Sequence, residues 1–340
     1  MCDVNGRSIV LFGAGNECKK IINFIGKDTI RCIYDNDPLK DGSLLEGIQI
    51  KRFDGKIDED VDVYITPRGN AAVQIELQLK NYNIAFHKAH ELVKTKWNIN
   101  NNILKYKNKY KGKRCFLLGT GPSLTIDDLE LLKEKHEICF GANRMFKMFK
   151  DTIWRPDFYV AIDYKVIKTY LNELSEISKE IDCFVSDIGD TNYLSTDEME
   201  CFNKTFKNKV HLYCQDNIFE DDSIDFSFNV DRYIAEGMTV IYAMIQLAAY
   251  MGFSEMYLMG VDFNYKDITG LDGSAEDHCC KNYINPNEIV NPPRPEINLK
   301  AFKTSERISR ENGFRIFNAT RGGKLEVFER VDFELLLGGE

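Results

Sequence analysis

Short apolar runs alternate with amphipathic segments along most of this chain. The apolar runs lie at 8–13, 30–35, 61–66, 114–118, 137–142, 157–162, 182–186, 209–214, 255–261 and 314–319. Helix-like patterns follow several of them, notably at 16–26, 71–82, 125–135, 239–251 and 298–312. Continuous apolar strands that alternate with helices are typical of a mostly parallel sheet covered by helices on both faces. The pattern therefore predicts an α/β protein with two Rossmann-like domains, the larger one C-terminal.

The domain boundaries follow from a change in composition. Residues 1–93 form a predicted small Rossmann-like βαβ domain, and residues 114–340 form the larger domain. Residues 94–113 between them, together with Arg114, carry eight Lys or Arg, several Asn and no acid. A solvated linker is the favoured interpretation. The alternative is a basic strip that faces an anionic membrane surface or an acidic glycan.

Composition narrows the class of protein. A length of 340 residues allows two separate cores, and a net charge of −9 argues against a general nucleic-acid binder. The first residues lack the pattern of an export signal, and the ten cysteines include no CxxC pair. The apolar stretch 239–251 is too short to cross a bilayer, which needs roughly 20 apolar residues. We therefore expect reduced thiols and a cytoplasmic location.

The turn at 119–123 is the strongest sign of chemistry. An apolar strand ends in Gly119, Thr120, Gly121, Pro122 and Ser123, and a helix-like segment follows at once. This order places backbone N–H groups and a helix N-terminus where they can bind phosphate. The turn is neither a Walker A loop, which needs Gly-Lys-Ser/Thr, nor a GxGxxG loop. It predicts a nucleotide site of another kind.

Polar residues follow other predicted strands, where ligands bind in open α/β sheets. They are Asn143, Arg144, Asp163, Asp187, Asp262 and Asn264. Glycine-loop amides and Ser123 suit a phosphate or a ribose, and Asn143 suits a base or a sugar hydroxyl. Each residue alone could simply cap the next helix. Taken as a set, they favour a binding site.

His278 lies in the long polar stretch 264–297. A neutral imidazole on an active-site loop can take a proton from an attacking hydroxyl, although an exposed loop histidine is the alternative. The neighbouring Cys279 and Cys280 do not predict a metal site, because adjacent side chains cannot easily share one tetrahedral ion. Arg294, Arg321 and Lys324 are either phosphate partners or surface charges.

The small domain has a glycine turn of its own. Gly13 and Gly15 follow the first strand, and Asp35 lies about twenty residues further on, where dinucleotide folds place a ribose-binding acid. A glycine turn that only packs is an equal alternative. The domain could bind a nucleotide, mediate assembly or dock an acceptor.

The motifs together resemble a known superfamily. They resemble the 6-hydroxymethylpterin diphosphokinase (MptE)-like domain, which also occurs in motility-accessory proteins linked to flagellin glycosylation. The resemblance rests on the segment 119–124, Asn143-Arg144, Asp163, the run 237–265 and His278. The same region, roughly 110–335, is similar to small bacterial CMP-sialic acid sialyltransferases, although Thr120 stands where those enzymes have Asn. Residues 8–50 resemble a Rossmann-type domain that precedes some sugar-modifying enzymes.

The resemblance implies a reaction. A CMP-linked acidic sugar would move to a surface-glycan or lipid-linked acceptor, with inversion and no required metal or other cofactor. His278 would deprotonate the acceptor, and Thr239 and Tyr265 would join the nucleotide contacts. The partners would be a nucleotide-sugar donor and a glycan, without nucleic acid. Association with the inner face of the membrane is compatible with the basic stretch.

Two other functions stay open. A diphosphokinase would move pyrophosphate from ATP to a small alcohol such as 6-hydroxymethylpterin, with Mg²⁺ held by carboxylates such as Asp163 and Asp262. A nucleotide-binding regulatory protein would tolerate removal of His278 without a change in nucleotide affinity.

Overall fold

The computed structural model describes residues 8–58, 60–67, 70–89, 92, 99–188, 193–214, 224–264, 278–286 and 288–338. These residues form two compact units that divide between residues 98 and 99. Each unit has a largely parallel sheet, so the predicted fold class is confirmed.

The smaller unit is built on one six-stranded sheet. Its elements are β1 (Ser8–Phe12), α1 (Asn16–Ile25), β2 (Ile30–Asp35), β3 (Leu44–Leu45), β4 (Ile48–Arg52), β5 (Val61–Ile65), α2 (Asn70–Asn81) and β6 (His87–Lys88). The strand order is β3-β4-β2-β1-β5-β6, and β3 runs antiparallel to β4. Alternate residues of β1 serve opposite faces, since Leu11 packs with α1 while Val10 and Phe12 pack with α2.

The larger unit contains an eight-stranded, fully parallel sheet and a separate pair of short strands. Its strands are β7 (Arg114–Leu118), β8 (Cys139–Ala142), β9 (Phe158–Ala161), β10 (Asp182–Ser186), β11 (Asn208–Val210), β12 (Leu212–Tyr213), β13 (Ile234–Ala235), β14 (Glu255–Met259), β15 (Arg315–Asn318) and β16 (Glu329–Arg330). Its helices are α3 (Asn101–Leu104), α4 (Ile126–Glu134), α5 (Tyr164–Thr169), α6 (Leu171–Ile177), α7 (Thr196–Thr205), α8 (Val240–Met251), α9 (Pro295–Asn312) and α10 (Phe333–Leu336).

The strand order of the large sheet creates a switch point. The order is β11-β10-β9-β8-β7-β14-β15-β16. The chain runs outward from β7 to β11 on one side, then returns to the other side of β7 with β14. A crevice opens at the carboxyl ends of strands where the order reverses in this way. The best place for a ligand is therefore beside the ends of β7 and β14.

Helix α8 leads into β14 and is buried on nearly all of its surface. Thr239 caps its N-terminus by accepting a hydrogen bond from the Ile241 N–H at 3.4 Å. Gly252, at φ 88°, ends it in the left-handed conformation that glycine adopts without strain. The helix predicted at 239–251 therefore begins after a threonine cap and ends at a glycine, both of which are common at helix ends.

The predicted linker differs from the structure over residues 99–113, which belong to the larger unit. Ile103 and Tyr106 are 0% and 1% exposed in the core of that unit. The N–H groups of Asn108 and Tyr110 donate to the last carbonyls of α8, at 3.0 and 2.8 Å. The segment folds onto the unit because apolar side chains interleave with its lysines.

Two predicted strands are shorter or divided. The run 209–214 breaks at His211 into β11 and β12, which belong to different sheets. The run 255–261 ends at Met259, because Gly260 adopts a positive φ of 64°. Among the described residues, no helix is both long and apolar enough to cross a membrane.

Candidate functional site

A cavity of about 770 Å³ opens at the carboxyl ends of the central strands of the larger unit. The predicted catalytic base, His278, lines it, and so do most residues predicted for the nucleotide site: Gly119, Thr120, Gly121, Pro122, Asn143, Arg144, Asp163, Thr239 and Asp262. Ser123 does not line the cavity, and Tyr265 lies outside the described residues. The structure thus brings the glycine turn and the histidine segment to one place.

The glycine turn packs directly against the end of β14. A Cβ atom on Gly119 would lie 2.3 Å from the Gly260 carbonyl oxygen. A Cβ on Gly121 would lie 1.9 Å from Oδ2 of Asp262. Neither approach is possible for a larger residue without movement of the backbone or of Asp262. These glycines are therefore required for the contact between two strand ends that form the cavity floor.

The helix after this turn, α4, does not present an open N-terminus, contrary to the prediction. Thr125 and Asp128 form a reciprocal capping box, in which each side chain accepts the backbone N–H of the other. Asp128 is buried and also pairs with Arg321, at 2.7 and 2.8 Å. The first turn of α4 is thus occupied by the protein's own carboxylate. Arg321 is committed to this pair and to Glu334.

A different helix start, that of α8, opens into the cavity. Met238, Thr239, Val240 and Ile241 all contribute to the lining. A twelve-residue helix carries a partial positive charge at its N-terminus, which favours an anionic group there. Thr239 was predicted as a nucleotide contact only from the family resemblance. The available signal was a threonine after Gly237, immediately before an apolar run.

Asn143 is the polar side chain best placed to contact a ligand. It follows β8 with a positive φ of 51°, and its backbone carbonyl accepts a hydrogen bond from Tyr159 at 2.8 Å. Its side-chain Oδ1 is buried and has no hydrogen-bond partner among the described residues. A buried acceptor without a donor is costly unless a ligand supplies one. This agrees with the predicted contact to a base or a sugar hydroxyl.

Arg144, predicted as a nucleotide ligand, lines the cavity and is paired there with a buried carboxylate. Its Nε donates to Oε1 of Glu288 at 2.9 Å, and both side chains are almost fully buried. Tyr170 donates to the other oxygen of Glu288 at 2.6 Å. Burial acts to raise the pKa of Glu288, but the hydrogen bonds from Tyr170 and Arg144 outweigh it and lower that pKa. The arginine therefore holds the segment that carries Glu288.

The segment 278–286 is attached to the glycine turn. The N–H of Cys279 donates to the Thr120 carbonyl at 2.9 Å, and the Thr120 hydroxyl bonds the Tyr283 hydroxyl at 2.9 Å. The His278 ring stacks on Tyr283, with centroids 4.1 Å apart and an angle of 24°. Lys147 donates to the carbonyls of Asn282 and Tyr283 at 2.8 and 2.9 Å. The imidazole therefore has a fixed orientation at the cavity.

The two adjacent thiols are unlike each other. Their mutual hydrogen bond raises the pKa of Cys279 and lowers the pKa of Cys280 to about 7. No cluster of three or more His, Cys, Asp or Glu able to hold a metal occurs in the described parts of the chain.

Carboxylates outnumber cations around the cavity. Asp163, Asp187, Glu236 and Asp262 line it, together with Arg144 and Arg294. Asp163 caps α5 through the Lys165 N–H at 2.8 Å and also accepts from Asn291. Burial raises the pKa of Asp262, whose Oδ2 accepts a hydrogen bond from Ser123 at 2.8 Å.

Glu236 is a cavity residue that sequence reasoning missed. Burial raises the pKa of its carboxyl. In the sequence, the only sign that Glu236 lies at the site is its position just before Gly237 and Thr239, which precede α8.

In the smaller unit, Asp35 has a structural role. Its two oxygens accept the N–H groups of Ala14 and Asp37, at 2.6 and 2.8 Å, and Lys40 lies at 3.0 Å. A cavity of about 630 Å³ in this unit is lined by other residues, and by none of Gly13, Gly15 and Asp35. The structure does not bring these three predicted residues to that cavity.

The parallel sheet and the cavity at its switch point define an α/β protein of the Rossmann-like architecture. The family described as "6-hydroxymethylpterin diphosphokinase MptE-like" has a model that matches residues 89–267, more than half of the chain. The chain belongs to this family, which confirms the predicted resemblance. Among curated proteins, none matches the sequence.

Two solved structures are similar to the chain. The MAf glycosyltransferase from Magnetospirillum magneticum AMB-1 is 14% identical, with a TM-score of 0.38; the match covers 96% of this chain and 58% of that one. The sialyltransferase CstII from Campylobacter jejuni, in complex with the substrate analogue cytidine-5'-monophosphate, is 16% identical with a TM-score of 0.40. That match covers 65% of this chain and 85% of CstII. This chain thus spans little more than half the length of the MAf protein.

Proposed function

We propose that the larger unit is a glycosyltransferase that moves a CMP-linked acidic sugar to a glycan acceptor, with inversion and with His278 as general base. The observation that carries this proposal is the attachment of the 278–286 segment to the glycine turn. The Cys279–Thr120 and Thr120–Tyr283 hydrogen bonds hold a histidine beside the cavity that the turn helps to form. A base must stand this close to the donor site to act on an incoming hydroxyl.

Two features of the cavity support a nucleotide-sugar donor, although carboxylates outnumber cations in its lining. The N-terminus of α8 would face the phosphate or the sugar carboxylate, where a negative charge is stabilised. Asn143 would accept a hydrogen bond from the cytosine amino group or from a hydroxyl. A volume of about 770 Å³ is within the usual range for small-molecule sites.

The transfer requires a single displacement. The acceptor oxygen attacks the anomeric carbon from the face opposite CMP, and the bond from that carbon to the phosphate oxygen breaks. The bonding pair leaves with CMP, and the acceptor proton passes to His278. The stack on Tyr283 fixes the imidazole plane during this step. The acceptor would be a surface glycan or its lipid-linked precursor, used on the cytoplasmic side.

One observation favours the diphosphokinase as a second candidate. Four carboxylates line the cavity among the described residues, and two of them, Asp163 and Asp262, follow β9 and β14, which are separated in the sheet by β8 and β7. Carboxylates of this kind hold Mg²⁺ together with nucleotide phosphates. The description of the family names the same chemistry. In that reaction ATP would lose pyrophosphate to a small alcohol and AMP would be released.

Product analysis separates the two functions. The protein is incubated with a CMP-linked acidic sugar in EDTA, and in parallel with ATP, Mg²⁺ and 6-hydroxymethylpterin. Release of CMP in EDTA is the expected result. AMP formation that requires Mg²⁺, without release of CMP, would establish the diphosphokinase instead. Binding without either product would identify a regulatory protein.

A further inference from the structure

The segment that precedes β7 carries an unusual density of exposed positive charge. Lys105, Lys107, Lys109, Lys111 and Lys113, here called the lysine strip, alternate with other residues, and all five are exposed. Residues 99–113 contain no acid, although the whole chain has a net charge of −9. The strip is therefore a local reversal of the overall charge.

Two tyrosine rings hold part of the strip along one face. The Nζ atoms of Lys105 and Lys109 lie 4.8 and 5.5 Å from the Tyr106 ring centroid. Those of Lys109 and Lys113 lie 5.4 and 6.0 Å from the Tyr110 centroid. Since neighbouring lysines share a ring, the three ammonium groups form one continuous positive surface.

The rings themselves are fixed from below. Tyr110 stacks on Phe253 with centroids 4.9 Å apart and planes 7° apart, and its N–H is bonded to Met251. Tyr106 is buried against Phe184 at 5.2 Å. The positive surface is thus presented by a rigid support, so that binding through it costs little ordering of the backbone.

The chemistry around the strip favours a lipid surface. In the described parts of the chain, no ion pair joins any of the five lysines to another residue. The exposed carboxylate of Asp182 instead helps to raise the pKa of Tyr106. Beside the strip, Ile99 and Leu104 are 43% and 41% exposed. Basic residues together with exposed aliphatic side chains suit an anionic membrane interface. Single-stranded nucleic acid would need exposed aromatic faces, and here the rings are covered.

We propose that the lysine strip, with Ile99 and Leu104, docks the larger unit on an anionic phospholipid surface. Lys113 directly precedes β7, so the strip lies at the amino end of that strand, whereas the cavity lies at the carboxyl ends. Docking through this edge leaves the cavity open to its ligands. The proposal does not depend on which reaction the cavity supports.

Co-sedimentation with vesicles tests the proposal. Vesicles of phosphatidylcholine with 30% phosphatidylglycerol serve as the probe, and pure phosphatidylcholine vesicles serve as the reference. The variant K105Q/K109Q/K113Q removes three charges from the strip. The control K135Q/K168Q/K303Q removes three exposed lysine charges elsewhere in the same unit. We expect binding only to the anionic vesicles, weakened by salt and reduced roughly 100-fold in the strip variant.

The control variant should bind within about threefold of the wild type, and K105R/K109R/K113R should bind as the wild type does. Equal binding by the strip variant and the control would overturn the proposal. So would failure to bind anionic vesicles at low salt, or capture by a soluble acidic polysaccharide with no vesicle binding. Matching circular dichroism spectra verify that the variants are folded.

Discussion

The two units each contain a strand, a glycine turn and a helix, yet the two turns serve different purposes. In the smaller unit, the turn at Gly13 is closed by Asp35, which accepts the Ala14 N–H at 2.6 Å and lies 3.0 Å from Lys40. In the larger unit, Gly119 and Gly121 press against the end of β14 and form part of a cavity. The same local pattern therefore forms a turn closed by a side chain in the smaller unit and part of a ligand-sized cavity in the larger unit.

The acids beside the two turns explain the difference. Burial opposes ionisation of Asp35, but hydrogen bonds from Asp37 and Ala14 and the nearby Lys40 lower its pKa. Burial raises the pKa of Asp262, and its hydrogen bond to Ser123 only partly offsets this effect. The Asp35 carboxylate accepts hydrogen bonds from the backbone of its own turn, while the Asp262 carboxylate lies in the cavity wall. A glycine turn thus indicates a binding site only when the neighbouring strand end leaves space.

The largest expected effect concerns the histidine attached to the second turn. His278→Ala should reduce transfer about 10²–10⁴-fold while CMP binding is retained, because a general base is lost and the donor contacts remain. His87→Ala, in β6 of the smaller unit, is the matched control and should leave the rate unchanged. Initial rates of CMP release measure both. Equal turnover in the His278 variant and the wild type would remove the assigned role.

The next effect concerns the segment that covers the second turn. Glu288→Ala leaves Arg144 buried without its carboxylate and should destabilise the larger unit by about 3–5 kcal/mol. Glu46→Gln removes the exposed partner of Lys19 in the smaller unit and should leave the unfolding midpoint unchanged. Urea denaturation followed by circular dichroism compares them. Similar midpoints for the two variants would show that the buried pair does not hold this segment.

Alanine at one glycine of each turn tests the comparison itself. Gly121→Ala places a methyl group 1.9 Å from Asp262 and should cost about 1–3 kcal/mol of stability. Gly15→Ala meets no atom within 4 Å and should cost less than about 1 kcal/mol. Thermal unfolding of the two variants provides the measurement. A larger loss for Gly15→Ala would contradict the packing described for both turns.

Neutralising the two acids should change stability in opposite directions. Asp35→Asn should destabilise the protein by about 1–3 kcal/mol at pH 7, since an amide cannot accept both backbone N–H groups. Because the folded pKa of Asp35 is lowered, this deficit should shrink as the pH falls below the ordinary value of 3.8.

Asp262→Asn should stabilise the protein at pH 7, because the folded state disfavours the charged carboxylate. This advantage should disappear as the pH falls toward 3.8, since the wild-type carboxyl then becomes neutral in the folded state first. Denaturation midpoints across the acidic range measure both variants. A destabilised Asp262→Asn at pH 7 would mean that the ionised carboxylate has a stabilising partner.

Local patterns predicted much of the fold and the membership of the site. The alternation of apolar runs and helices predicted the parallel sheets and the helix at 239–251. The polar residues at strand ends lie around one cavity because parallel strands end at the same edge.

Pairings between distant residues could not be predicted in this way. Arg144 meets Glu288, and Asp128 meets Arg321, across long separations in sequence. Each pair includes an arginine that the sequence had suggested for another role: Arg144 as a nucleotide ligand, and Arg321 as a phosphate partner or a surface charge. The lysines of residues 99–113 likewise concealed the buried Ile103 and Tyr106, which attach that stretch to the larger unit.

Calorimetric titration with CMP in the absence of metal tests the central claim most directly, using the wild type, Gly121→Ala and Gly15→Ala. The account predicts that the wild type and Gly15→Ala bind CMP with the same Kd, while Gly121→Ala binds at least about tenfold more weakly, a loss of roughly 1.4 kcal/mol. It is contradicted if CMP does not bind, if only ATP with Mg²⁺ binds, or if Gly15→Ala abolishes binding while Gly121→Ala preserves it.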